Sequence, residues 1–156
     1  MLTGKRNTLK LIVLNRYEKQ KPAVGFAKGF GLKNGGIAGT VAHDSHNVIC
    51  LGTNDEVIFL LTEWLTQNKG GIAFSDGKKV FGLPLPIAGL MSNKSASFVA
   101  NKYGMLDQMT KNAGSKLSAP FMTLSFLSLL VIPELKLSNY GLFYTSDFSY
   151  TSIYSE

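Results

Sequence analysis

Histidine and cysteine are scarce in this chain. It has one cysteine and two histidines in 156 residues. A lone Cys50 excludes an intrachain disulfide, and its apolar setting, Val48-Ile49-Cys50-Leu51, marks it as a small buried hydrophobe. A reducing, cytoplasmic compartment is the natural expectation. Charge is thin as well, at 17% of residues, too little for a disordered tail. The formal charge is +6, yet the basic residues stand as singles and pairs such as Lys5-Arg6 and Lys78-Lys79. No block of five or six occurs and no nucleic-acid motif is visible, so no nucleic-acid partner is expected. Long apolar runs are missing too. The longest apolar region, Pro120 to Pro133, is broken by Thr123, Ser125 and Ser128 and is too short to span a bilayer. No stretch of signal-peptide length precedes Leu9, so neither a membrane nor an export route is expected.

What is present is core material. Apolar residues make up 45% of the chain, enough for one ordinary domain covering residues 1–156, and neither a linker nor an internal repeat divides it. Sixteen glycines predict tight turns and close backbone approaches.

Leu9 to Leu14 reads as a strand. Ala23 to Leu32 and Ile37 to Ala42 flank Asn34-Gly35-Gly36, which predicts a hairpin. Val48 to Leu51 is another short strand. A helix follows, with Thr53 and Glu56 at capping-box spacing. Its apolar face is Val57, Leu60, Leu61, Trp64 and Leu65, and Gly70-Gly71 stops it. Asp76-Gly77 predicts a second hairpin between Ile72–Phe74 and Lys79–Phe81. The prolines at 84 and 86 force an extended segment. A weaker helix spans Ala96 to Asn112, with Phe98, Val99, Met105, Leu106 and Met109 inward. A buried third helix starts at Pro120 and ends before Pro133. The tail from Leu142 has strand periodicity. The predicted class is α+β: a mainly antiparallel β-sheet with about three helices packed on it.

The polar loop at 43–47 is the first candidate site. His43, Asp44, Ser45, His46 and Asn47 sit together between two apolar strands. His43, Asp44 and His46 could ligate a metal, but no other histidine completes the set. Ser45 beside a histidine is a poor triad, because sequence neighbours rarely point at one another. The bland alternative is a hydrogen-bonded strand connection. The glycines at 25, 29, 31, 35 and 36 do not precede a helix, so a phosphate loop is not expected. Leu85, Ile87 and Met91, in the rigid segment PLPIAGLMS, form a candidate interface: a buried crossover, or a surface awaiting a neighbour.

Four segments carry a resemblance. They are GFAKGFGL (25–32), VAHDSHN (41–47) continuing to Gly52-Thr53-Asn54-Asp55, LPLPIAGLMS (83–92) and PFMTLSFLSLLVIPELKL (120–137). In this order and spacing the chain resembles the C-terminal domain of bacterial adenine deaminases of the amidohydrolase superfamily, from about Leu11 to the end. The resemblance implies hydrolysis of adenine to hypoxanthine and ammonia, with manganese or iron activating the water. It places the metal on a catalytic TIM-type barrel absent from this sequence, so no catalytic or metal-ligating residue is expected here. The 43–47 loop is then a candidate wall of the substrate site or of the contact with the barrel. The barrel is the implied partner, and a homo-oligomer is a further option. Two other readings stay open: a stand-alone, non-catalytic purine-binding or interaction domain, and a small hydrolase built on the polar loop.

Overall fold

The computed structural model describes residues 8–43 and 45–153. Its elements, in chain order, are β1 (Thr8–Leu14), β2 (Ala23–Lys28), β3 (Gly36–Gly39), β4 (Val48–Gly52), α1 (Asp55–Gln67), β5 (Gly71–Ser75), β6 (Val80–Pro84), α2 (Ala96–Asn112), α3 (Pro120–Phe126), β7 (Leu135–Ser138), β8 (Gly141–Tyr144) and β9 (Ser149–Thr151). The first six strands form one sheet in the order β2-β1-β4-β3-β5-β6, and the last three form a second. Every pairing is antiparallel. The class is α+β, as the sequence predicts.

The large sheet is covered on both sides, which explains why its strands read as continuous apolar runs rather than alternating ones. Successive residues go to opposite faces. Ile12, Ala38, Cys50 and Ala73 meet Val57, Ile58, Leu61 and Leu65 of α1. Leu11, Val13, Ile37, Ile49, Leu51 and Phe74 point the other way, into a core shared with Leu106 of α2, Phe121 and Leu124 of α3 and Leu137 of β7. Cys50, fully buried, fills the thin side against α1.

Four sequence readings need correction. The Asn34-Gly35 turn does not make a hairpin: β2 pairs with β1, while β3 pairs with β4 and β5. Gly35 takes φ +86° so that the chain can pass the Ser75 carbonyl, where any Cβ would collide. The cap of α1 is Asn54, whose Oδ1 accepts the Val57 N–H at 2.9 Å; Thr53 instead donates its hydroxyl to the Gly35 carbonyl at 3.1 Å. Helix α2 has the predicted span, but Phe98 and Met105 are exposed; Leu106 and Thr110 are its buried residues. Helix α3 lasts only seven residues. Beyond Phe126 the chain tightens into i→i−3 turns, Leu127 to Leu124 and Leu129 to Phe126, and its carbonyls turn to the tail. Leu137 N–H donates to Leu127 O, and the Thr145 hydroxyl to Leu130 O.

Candidate functional site

The 43–47 loop lies in the connection between β3 and β4, two central strands that fix both of its ends. Between those ends, distant segments hold it. His43 donates its backbone N–H to Ser125 O at 3.2 Å and accepts the Ser128 hydroxyl on its carbonyl at 2.6 Å. The end of α3 therefore carries His43. The chain then reverses, with His46 N–H on Ala42 O at 2.7 Å and His46 in the left-handed region at φ 52°. Asn47 is buried. Its Oδ1 accepts the Arg16 N–H at 3.3 Å, and its Nδ2 donates to Asn139 Oδ1 at 3.1 Å. Asn139 continues the chain of amides by donating to Gln20 Oε1 at 3.1 Å. Ser45 is exposed, and its carbonyl accepts the Tyr17 hydroxyl at 3.1 Å. Asp44 lies outside the described residues.

The two histidine rings come together, with centroids 6.0 Å apart, and His43 also leans on Phe126 at 5.1 Å. His43 stands between two cavities. One, of about 150 Å³, is polar and lined by Ser45, Asn47, Ser128, Ser138 and Asn139 among others. The other, of about 220 Å³, is mostly apolar, between the sheet residues Ile49 and Ile72 and the α2–α3 residues Tyr103, Phe121 and Met122. Burial first, and the Asp107 carboxylate second, push the Tyr103 phenol above its ordinary range, so it stays a neutral hydroxyl on that wall. His46 Nδ1 is buried without a partner among the described residues.

The described residues of this arrangement offer hydrogen-bonding amides and hydroxyls around two adjacent imidazole rings. Among the described residues no group of three or more His, Cys, Asp or Glu could hold a metal ion. No hydrogen bond joins Ser45 to either histidine ring among the described residues, so a nucleophile–base pair is not assembled. Nor does any described helix have the length and apolarity to cross a membrane. Gly31 is packed against Gly114, where a Cβ would come within 2.5 Å of a carbonyl oxygen; close approach is its role.

The family model for the adenine deaminase C-terminal domain matches residues 2–149. The chain belongs to that family. Curated adenine deaminases resemble it over most of its length. One from a Sulfurovum species is 54% identical across 88% of the chain, one from Methanosarcina mazei is 44% identical across 97%, and one from Salinibacter ruber is 52% identical across 88%. The match takes up 26% or 27% of those relatives, so the chain spans about a quarter of their length.

In this adenine deaminase C-terminal domain the sequence finds the loop but not what holds it. Arg16, Tyr17, Ser128 and Asn139 approach from segments that are remote in sequence, up to 92 residues away in the case of Asn139. The available signal is weak: a polar stretch, Asn15 to Lys21, directly after the first strand. The candidate interface divides. Leu85 is 5% exposed and belongs to the core, whereas Ile87 and Met91 are 45% and 57% exposed. A tight turn brings those two together, each N–H to the other's carbonyl at 3.1 Å, with Ala88 at φ 57° and Gly89 at φ 71° between them.

Proposed function

We propose that this chain works as the C-terminal domain of an adenine deaminase, a hydrolase of purine metabolism that takes adenine and water to hypoxanthine and ammonia. The match over residues 2–149 carries this reading. Chemistry is assigned to a metal-bearing amidohydrolase barrel, corresponding to the three quarters of the relatives that this chain does not match. There manganese or iron would supply an activated water. The domain supplies a wall: His43 and His46 present ring nitrogens suited to a heteroaromatic substrate or a barrel side chain, while Ile87 and Met91 form apolar contact surface beside them. Asp44 and Asn47 share the loop. The buried, unpaired thiol of Cys50 suits a cytoplasmic setting.

The test is a chimera in which this chain replaces the matching quarter of the Sulfurovum relative. Ammonia release from adenine is followed with manganese supplied. The chimera is expected to deaminate adenine, and this chain alone to release none. His46→Ala in the chimera is expected to lower kcat/KM roughly tenfold, as misplaced site walls do. Catalytic turnover by the chain alone would overturn the reading and make His43, Asp44 and His46 the residues to mutate. A folded but inactive chimera would favour a stand-alone purine-binding or interaction domain instead.

A further inference from the structure

Two residues of the described chain that lie beside the candidate site, His46 and Ala88, sit in the left-handed region without being glycine, at φ 52° and 57°. They belong to different loops, 42 residues apart. One side chain holds both. Arg16 Nη1 donates to His46 O at 3.1 Å, and Arg16 Nη2 donates to Ala88 O at 3.0 Å. The Arg16 backbone N–H holds the Asn47 side chain at 3.3 Å. Its neighbour Tyr17 adds a third carbonyl, that of Ser45, and its ring lies 5.8 Å from the guanidinium carbon. Gly89 makes room: a Cβ there would overlap the guanidinium. Thr40 braces the other side of the same turn, donating its hydroxyl to Gly89 O at 2.5 Å.

We infer that Arg16 is a positioning residue that fixes the 43–47 loop and the 87–91 turn as one rigid face, so that the histidines are presented in constant register with Ile87 and Met91. The guanidinium is suited to this because its donors lie in a fixed plane and serve two acceptors at once, whereas an ammonium on a flexible stem is a single point. Backbone conformations that are unfavourable for His and Ala persist only where surroundings over-determine them, and a shared clamp on both carbonyls does that. The consequence for deamination rests on the reading proposed above; the clamp itself does not.

Amide hydrogen exchange on the purified chain tests the clamp. Arg16→Ala is expected to speed exchange in both 43–47 and 87–91 by roughly tenfold or more while the amides of Leu61 and Leu65 in α1 stay protected. Arg16→Lys is expected to restore one segment and not the other. Loosening of a single segment by Arg16→Ala, or of neither, overturns the inference. If Arg16→Ala also exposes α1, Arg16→Lys carries the test: selective loosening of one segment supports the clamp, and wild-type exchange in both overturns it. In the chimera, Arg16→Ala is expected to raise KM as well as lower kcat, because a smaller folded fraction alone would lower kcat without touching KM. Segments that loosen together with unchanged chimera kinetics would uphold the clamp and sink the functional role proposed for the loop.

Discussion

Cys50 sits at the middle of β4 with its thiol fully buried, and desolvation pushes its pKa far above the usual thiol range. The thiolate is the reactive form, so Cys50 is expected to resist maleimide in the native chain and to react on unfolding. Labelling followed against denaturant should track the global transition; native-state labelling would show that β4 opens by itself. Asp76 is the opposite case, an exposed carboxylate. Its Oδ1 accepts the N–H groups of Lys78 and Lys79, both at 2.8 Å, and these backbone bonds hold its pKa below the ordinary value. A depressed carboxyl pKa gives stability that is present above the unfolded value of about 3.9 and is lost as pH falls through the lower folded value. Solvent screening keeps that contribution small. Asp76→Asn can still accept both bonds, so it should leave the β5–β6 turn in place and remove the acid-side dependence. Asp76→Ala should cost about 1 kcal/mol at neutral pH by losing them. Denaturant melts of the three proteins at pH 3 and pH 7 would separate the cases.

At the scale of elements, what sequence could read was what local chemistry decides. The Asp76-Gly77 hairpin, the span of α2 and the start of α3 at Pro120 each depend on residues within a few positions, and each is where the pattern puts it. The Asn34-Gly35 hairpin failed because its φ serves a distant partner, the Ser75 carbonyl, which no local window contains. Helix α3 was overestimated for a related reason: an apolar run looks the same whether its carbonyls stay in the helix or bond to a tail that follows. The loop of the candidate site was legible because five polar residues interrupt apolar strands. Its geometry was not, since Arg16, Ser128 and Asn139 reach it only through the tertiary fold. The cap of α1 is a place where the two levels can be separated. Asn54→Ala is expected to destabilise the chain by about 1 kcal/mol, the usual cost of a lost N-cap. The contact of α1 with β6 offers a sharper case: a Cβ on Gly82 of β6 would overlap the ring of Trp64 of α1. Gly82→Ala should therefore cost roughly 1–3 kcal/mol by overpacking. It should also shift the emission of the chain's single tryptophan. An unshifted spectrum with full stability would mean that α1 does not rest on β6 as described.

At the scale of the whole molecule, the core does not take all the apolar sequence: Phe59, Val131 and Phe148 are exposed, as are Ile87 and Met91, and the last two share one turn beside the candidate site. In Leu85-Pro86-Ile87 an unbroken extended backbone would put Leu85 and Ile87 on the same side. The chain instead leaves β6 and turns at Pro86, where the prolines predict an extended segment, so Leu85 goes to the core while Ile87 goes to solvent. Met91 returns beside Ile87 across the turn. One short motif thus separates packing from contact surface, and substitution can tell them apart. Leu85→Ser should destabilise the chain by roughly 2–5 kcal/mol, because it leaves a cavity and buries a hydroxyl. Ile87→Ser combined with Met91→Ser should change its stability by no more than about 0.5 kcal/mol, since neither side chain is enclosed. In the chimera the ranking is expected to reverse for a folded sample: the double variant should lose the coupling between this domain and the barrel, seen as separate melting transitions where the parent chimera melts as one. A double variant that still melts in a single transition and keeps wild-type deamination would show that this face does not meet the barrel, and that the barrel contact must be sought on the other side of His43, among Tyr103, Phe121 and Met122 along the apolar cavity.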